Sequence, residues 1–361
     1  MTQKYFYPAI DRFKLLASFL VIVIHTSPLT SISPEADYIL ARVLARTAVP
    51  FFFMVTGYFV LPKALEDEAY GWSYLKRIGL IYLISMVLYL PVGIYAGHFK
   101  GAGVISLLKM VFLDGTFYHL WYLPALILGF AVMLLLLRFL PLPAVGAVCG
   151  LLYTVGLFGD SYYGLIGESS FVYTIYEGLF HVFEYTRNGL FYAPIFLLLG
   201  YVLSERRPSL ALSLGALGGS FGLLLGEGIL LKLLETQRHD SMYLFLLPVM
   251  YFLFSALLED GWEERQKTFP KDLPLCIYLL HPLFIILVRG GAKVTGLAVF
   301  VDNSLVHFLA VAVSTFGGAL ILTKLLALLP NRSRKKKSSK EGEYYYDHKN
   351  QPGRHDRPSA S

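Results

Sequence analysis

FKLLASFLVIVIHTSPL, residues 13–29, is an apolar run broken by two ionisable side chains, Lys14 at its start and His25 deep inside it. Its length predicts a membrane-spanning helix. Eleven residues of helix turn through about 1100°, so Lys14 and His25 fall within about 20° of one face and about 16 Å apart along the axis. Ionisable groups in spanning helices are rare and face a bundle interior or a wet cavity, which makes them functional-site candidates. The run therefore predicts a charged entrance with a titratable imidazole far below it. The rest of the chain becomes the wall of that cavity.

Around this run, 361 residues that are 56% hydrophobic and 16% charged, with a mean hydropathy of +0.58, describe a polytopic membrane protein rather than a pair of soluble domains. Windows of about 17 to 25 mostly apolar residues fall near 13–29, 47–61, 75–96, 120–139, 144–158, 188–204, 210–230, 241–258, 273–287 and 305–329. They predict an all-α bundle of about ten transmembrane helices with both termini cytoplasmic. In that arrangement about 21 Lys and Arg residues lie inside and about nine outside, as the positive-inside rule requires. Lys76, Arg77, Arg206, Arg207, Arg265, Lys267 and Lys271 sit in the short inner connections. No small-residue cleavage site follows the first run, so it reads as a retained helix.

Residues 1–330 form the transmembrane domain, and 331–361 read as a basic cytoplasmic tail with the composition of a disordered segment. Much of the net charge of +6 comes from Arg332, Arg334, Lys335, Lys336, Lys337 and Lys340, directly after the last apolar run. A juxtamembrane cluster of this kind points to anionic lipid and not to nucleic acid. Cys149 and Cys276 fall in or beside spans and have neither metal spacing nor a disulfide framework, so no metal is expected. Glycine-rich nucleotide fingerprints, zincin helices and nucleophile elbows are absent from the sequence, which leaves the chemistry to scattered intramembrane residues.

Several further stretches stand out. RTAVPFFFMVTGYF, residues 46–59, carries Pro50, able to free a backbone carbonyl, and Gly57, able to admit a neighbouring helix or ligand; a kinked packing helix accounts for both equally well. Lys76 and Arg77 at a helix entrance form a topology anchor first and a phosphate-binding pair second. YHLWYLP, residues 118–124, has the composition of an interfacial aromatic belt, within which His119 could orient a second group or hydrogen-bond an acceptor. In the acidic, aromatic segment 159–187, Glu177, His181 and Glu184 have helical spacing, but a single His is a weak metal signature and a solvated face is the better reading. Arg187, Asn188 and Gly189 introduce the sixth span, and YLLHP, residues 278–282, places another intramembrane imidazole, His281, inside the ninth.

Lys14, ten intervening residues and His25, preceded by Asp11 and Arg12, resemble the opening helix of the acyltransferase family 3 membrane proteins. Residues 49–59 are similar to that family's Pro-Phe-Phe-Phe helix ending in Thr-Gly, 119–123 to its His-Leu-Trp-Tyr segment, and 278–282 to its late helix with His. The resemblance covers about residues 8–329. Two positions depart from it: Lys14 stands where Arg is commoner, and Leu80 replaces the second Arg of a cytoplasmic Arg-x-x-Arg begun by Arg77. The run 10–59 also resembles the membrane half of membrane-bound serine/alanine racemases, with no pyridoxal domain following it in this sequence.

The resemblance implies an O-acyltransferase of the bacterial plasma membrane. It implies transfer of an acyl group, usually acetyl, from cytoplasmic acyl-CoA to a hydroxyl of a cell-envelope polysaccharide or lipid-linked precursor, with acyl-CoA as co-substrate and no permanently bound cofactor. His25 becomes the catalytic base or acyl carrier; Lys14, Lys76 and Arg77 bind the donor; Arg12, Thr56, His119, Trp121, Tyr122, Arg187 and His281 form the acceptor or supporting set. The alternative is a transporter or flippase for an amino acid or lipid-linked glycan, and a third reading is a structural scaffold. A homo-oligomer is compatible with the sequence.

Overall fold

The computed structural model describes residues 7–258 and 269–328, and every regular element among them is helical. Arg265, Lys267, the basic cluster from Arg332 to Lys340 and the tail 331–361 lie outside the described residues.

Helix α1, Pro8–Thr26, begins with Pro at its first position, where a missing N–H costs nothing. It stops at Ser27, whose left-handed backbone (φ 47°) lets its N–H reach the Val23 carbonyl at 3.0 Å, and Pro28 blocks continuation. His25 therefore occupies the last turn. The second window holds α2, Ala48–Phe59, preceded by a short helix Pro34–Asp37, a π turn Tyr38–Val43 and a 3-10 turn Leu44–Thr47. Pro50 lies in the first turn of α2, where it removes no helical hydrogen bond. The distortion expected there is instead upstream, in the π and 3-10 turns.

The remaining windows hold α3 (Glu68–Tyr95), α4 (Tyr122–Phe139), α5 (Leu142–Phe158), α6 (Ala193–Glu205), α7 (Leu210–Leu233), α8 (Leu246–Leu257), α9 (Leu273–Thr295) and α10 (Ser304–Leu328). Six segments are long and apolar enough to cross a membrane: Pro34–Phe59, α3, α4, α7, α9 and α10; α5, α6 and α8 are apolar but shorter. Helix α1 carries Asp11, Arg12 and Lys14 in its first two turns and falls outside that set. Helix α3 turns Leu80, Leu83, Ile84, Val87 and Ile94 outward, each more than half exposed, a surface suited to lipid rather than water.

The inside is built on α2 and α6, which approach so closely that each presents a glycine to the other's backbone. A Cβ on Gly57 would stand 2.1 Å from the Leu197 carbonyl oxygen, and one on Gly200 2.3 Å from that of Met54. Phe51, Phe53, Met54, Phe196 and Phe254 fill the core around this pair. Helix α1 packs against α2, α9 and α10, which sets its Lys14-to-His25 face toward the bundle.

Two loop features bear on the expectations above. The helix Phe171–Val182 ends before Glu184, so Glu177, His181 and Glu184 do not share one helical face. In the connection before α4, burial and then the neighbouring Glu184 carboxylate push the Asp114 carboxyl up to about 6. A carboxyl whose folded pKa is raised keeps its proton in the folded state while the unfolded chain ionises, so stability falls as pH rises from about 4 to about 6 and the penalty is full above that. Asp114→Asn is therefore expected to raise the melting temperature at pH 7.5 and to lose that advantage near pH 4; an equal gain at both pH values would contradict the assignment.

Candidate active site

A cavity of about 340 Å³ opens at the Lys14 end of α1. Its mouth is polar, with Asp11, Lys14, Lys271 and Asp272; its wall is mostly apolar, from Ile10, Leu15, Val49, Phe52, Val55 and Phe59 with Tyr74 among them; and Tyr122 and Tyr278 close its inner end. Lys14 Nζ lies 2.9 Å from the Asp11 carboxylate one turn earlier. Arg77, on α3, faces Asp272 across the mouth at 3.9 Å. Thr56 shares a hydrogen bond of 3.0 Å with the Tyr74 hydroxyl on the wall. The volume lies within the ~300–1,000 Å³ usual for small-molecule sites.

Behind Tyr278 lies a cluster of three imidazoles. The Tyr278 hydroxyl donates to the His119 backbone carbonyl at 2.8 Å, while the Tyr278 carbonyl accepts from His281 Nδ1 at 2.7 Å. That carbonyl is available because Pro282, four residues on, has no N–H to give it. A carbonyl can only accept, so Nδ1 of His281 carries a proton and Nε2 of the neutral ring carries the lone pair. The His25 ring stacks on His281 with centroids 5.1 Å apart and planes at 23°, and His119 meets His281 edge-on at 5.4 Å. Tyr118 and Tyr89 pack on His25 and His119 at 4.9 and 4.7 Å. His119 and His281 are fully buried, and both nitrogens of His119 and Nε2 of His281 have no protein partner. Each such group costs about 1–3 kcal/mol in a core. His25 is only partly buried. The set combines one partly exposed imidazole with two buried ones whose polar atoms lack a protein partner, and none of the three belongs to the lining of the cavity.

Beyond the imidazoles, at the Ser27 end, stands a layer of charge. Arg46, only 7% exposed, is hydrogen-bonded through Nη2 to Asp240 Oδ1, and Arg42 Nε lies 3.7 Å from Asp240 Oδ2. Arg187 lies over the rings of Tyr185 and Trp121 at 4.6 and 5.3 Å and donates to Ser241 Oγ at 3.2 Å. The turn that carries it is fixed by Asn188, whose Oδ1 accepts from Leu190 and Phe191 at 2.9 and 3.0 Å. Arg187, Arg46 and Arg42 all lie within electrostatic reach of His25.

Of the residues singled out from the sequence, His25, His119 and His281 converge. Lys14, Thr56 and Tyr122 line the cavity, Arg77 stands at its mouth, and Trp121 and Arg187 form one stack at the opposite end. Lys76 and Arg12 are exposed and line neither that cavity nor the second one described below. Their neighbours explain this: one residue along a helix is a turn of about 100°, and two about 200°, so Lys76 points away from Arg77's face and Arg12 away from that of Lys14. The sequence singles out Arg46, Lys271 and Tyr278 without a role in the site, and gives no sign of Asp272 or Asp240. Two signals were available: a Pro four residues after Tyr278, and a charged Arg46 against an apolar window.

A helical membrane protein with a buried imidazole cluster beneath a cation-rimmed cavity is the class these features define. Residues 7–324 match the family model described as an acyltransferase domain, of type 3, and the chain belongs to that acyltransferase 3 family. Relatives include two amino-acid racemases of Enterococcus faecalis, 34% identical over 354 residues (93% of this chain, 47% of the relative) and 38% identical over 340 residues (90% and 46%). A serine/alanine racemase of Enterococcus gallinarum is 35% identical over 318 residues (85% and 45%). The chain thus spans about half the length of the curated relatives it matches. No solved structure matches it.

Proposed function

We propose that the chain transfers an acyl group, acetyl in the first instance, from acyl-CoA to a hydroxyl of a cell-envelope glycan or its lipid-linked precursor. The observation that carries this reading is Tyr278, which closes the cation-rimmed cavity and is hydrogen-bonded to both His119 and His281. We place the Lys14 end in the cytoplasm of a bacterial cell, with ten crossings and both termini inside, because Lys76, Arg77, Arg138, Arg206, Arg207 and Lys271 gather at that end. The donor phosphates then meet Lys14, Lys271 and Arg77, and the narrow pantetheine arm follows the apolar wall inward. His25 takes the proton of the acceptor hydroxyl as the carbon–oxygen bond forms and the thioester carbon–sulfur bond breaks. The thiolate leaves as free CoA with the proton that the imidazolium returns. His281, with its Nδ1 proton committed to the Tyr278 carbonyl, holds the stacked His25 ring in place.

Binding of labelled acetyl-CoA to purified protein in nanodiscs tests the donor half. Saturable binding is expected, weakened by about ten-fold in Lys14→Ala, because a charge-assisted phosphate contact is lost, and retained in Lys14→Arg. Absence of saturable binding would remove the reading. A second reading, movement of an amino acid across the membrane, is favoured by the racemase names of the relatives and by cavities at both ends of the bundle. Uptake of labelled serine into proteoliposomes without acyl-CoA would favour it.

A further inference from the structure

The second cavity, about 480 Å³, opens at the Ser27 end, on the far side of the imidazoles from Lys14. It is lined by three cations, Arg42, Lys232 and Arg238, and by two carboxylates, Asp37 and Asp240. Both carboxylates are already engaged. Asp37 is buried and its Oδ1 accepts from the Leu29 N–H at 2.9 Å, and Asp240 divides its oxygens between Arg46 and Arg42. Lys232 and Arg238 are held differently. The Lys232 ammonium sits 4.5 Å from the centroid of the Tyr38 ring, and the Arg238 guanidinium lies 3.7 Å over Phe180 and donates to the Glu184 backbone carbonyl at 3.0 Å. Among the described residues neither forms an ion pair within 4.0 Å; Glu35, fully exposed on the rim, feels Lys232 only at longer range. Aromatic faces thus position two cations without neutralising them.

Two further facts sharpen this. Arg46 and Arg187, behind the cavity wall, each keep a buried Nε with no protein partner, while Asp240 pairs with Arg46 and the buried Asp160 carboxylate lies within electrostatic reach of Arg187. His239, on the lining, is neutral at pH 7, because burial, then Arg238 and Arg187, push its imidazole down to about 4, so the positive charge facing the cavity comes from Arg42, Lys232 and Arg238.

We infer that this cavity binds an oxyanion, a phosphate or carboxylate borne by the acceptor, between Lys232, Arg238 and Arg42. The word acceptor rests on the acyl-transfer reading; the binding does not. The Arg46–Asp240 pair links the cavity to the reaction centre, since Arg46 bonds the cavity's carboxylate while its charge reaches His25. An acceptor anchored there by its anionic group presents its hydroxyl toward His25.

The test is calorimetric titration of the purified chain, without acyl-CoA, in nanodiscs of phosphatidylcholine. The probes are glucose 1-phosphate, galacturonate and neutral glucose. Both anionic sugars are expected to bind saturably and glucose not at all. Lys232→Gln and Arg238→Gln should each weaken the anions by about ten-fold, and Lys232→Arg should restore binding, with elution profile and circular dichroism reporting the fold. Repeating the titration in discs containing phosphatidylglycerol separates the sources: competition marks a lipid-borne phosphate, its absence a soluble anion. Equal titration by glucose, or unchanged anion affinity in both folded Gln variants, overturns the inference. Because no acyl-CoA is present, failure of the acyl-transfer reading leaves this result standing, and the converse also holds.

Discussion

His25→Ala lowers acyl transfer by about 10²- to 10⁴-fold, the range spanned by removal of a general base, and leaves folded protein in the membrane. The second half of that expectation follows from the contacts. Among the described residues His25 touches its surroundings through ring packing on His281 and Tyr118, not through a hydrogen bond on which the bundle depends. It also occupies the last turn of α1, so its loss leaves the body of the helix intact. His281→Ala has a different signature. It releases the Tyr278 carbonyl, already without a helical N–H because of Pro282, into a buried site with no donor, so a stability loss of about 1–3 kcal/mol accompanies the loss of rate. Release of free CoA and formation of labelled ester, followed beside thermal melting, separate the two variants. Wild-type turnover by clean His25→Ala protein would end its catalytic assignment.

The largest effect on stability is expected at the α2–α6 crossing. Gly57→Ala drives a methyl group to within 2.1 Å of the Leu197 carbonyl oxygen, and Gly200→Ala to within 2.3 Å of that of Met54. Both obstacles are backbone, which cannot rotate aside, so the helices must separate. Overpacking of this kind costs about 1–3 kcal/mol or more. Gly79→Ala, on α3, meets nothing within 4 Å and serves as the control. Melting in detergent should place Gly57→Ala and Gly200→Ala well below wild type and Gly79→Ala beside it. Helix α2 also lines the cavity through Phe52 and Thr56, so the same substitutions should weaken acetyl-CoA binding. Wild-type melting of Gly57→Ala would refute the close crossing.

Much of this architecture was legible in the sequence because lipid-facing helices announce themselves by length and apolarity. Every apolar window from 13–29 to 305–329 contains a helix. The convergence of His25, His119 and His281 was legible only as three separate anomalies, since nothing local says that α9 brings His281 against α1. Arg46 and Asp240 are 194 residues apart and meet through packing alone. The irregular turns before α2 leave no mark in the sequence, because residues 38–47 contain neither proline nor glycine. A proline marks a carbonyl four residues earlier, and it is at Pro282 rather than Pro50 that the freed carbonyl is used by a side chain.

The two cavities share no lining residue, and the layer between them is made of stacked and edge-on rings: three imidazoles with Tyr118, Tyr122 and Tyr278. An arrangement of that kind offers a hydrated metal ion no water-lined path from one cavity to the other. A bilayer containing this protein should therefore show no added sodium or potassium conductance, and a cell can keep many copies in its membrane without dissipating those gradients.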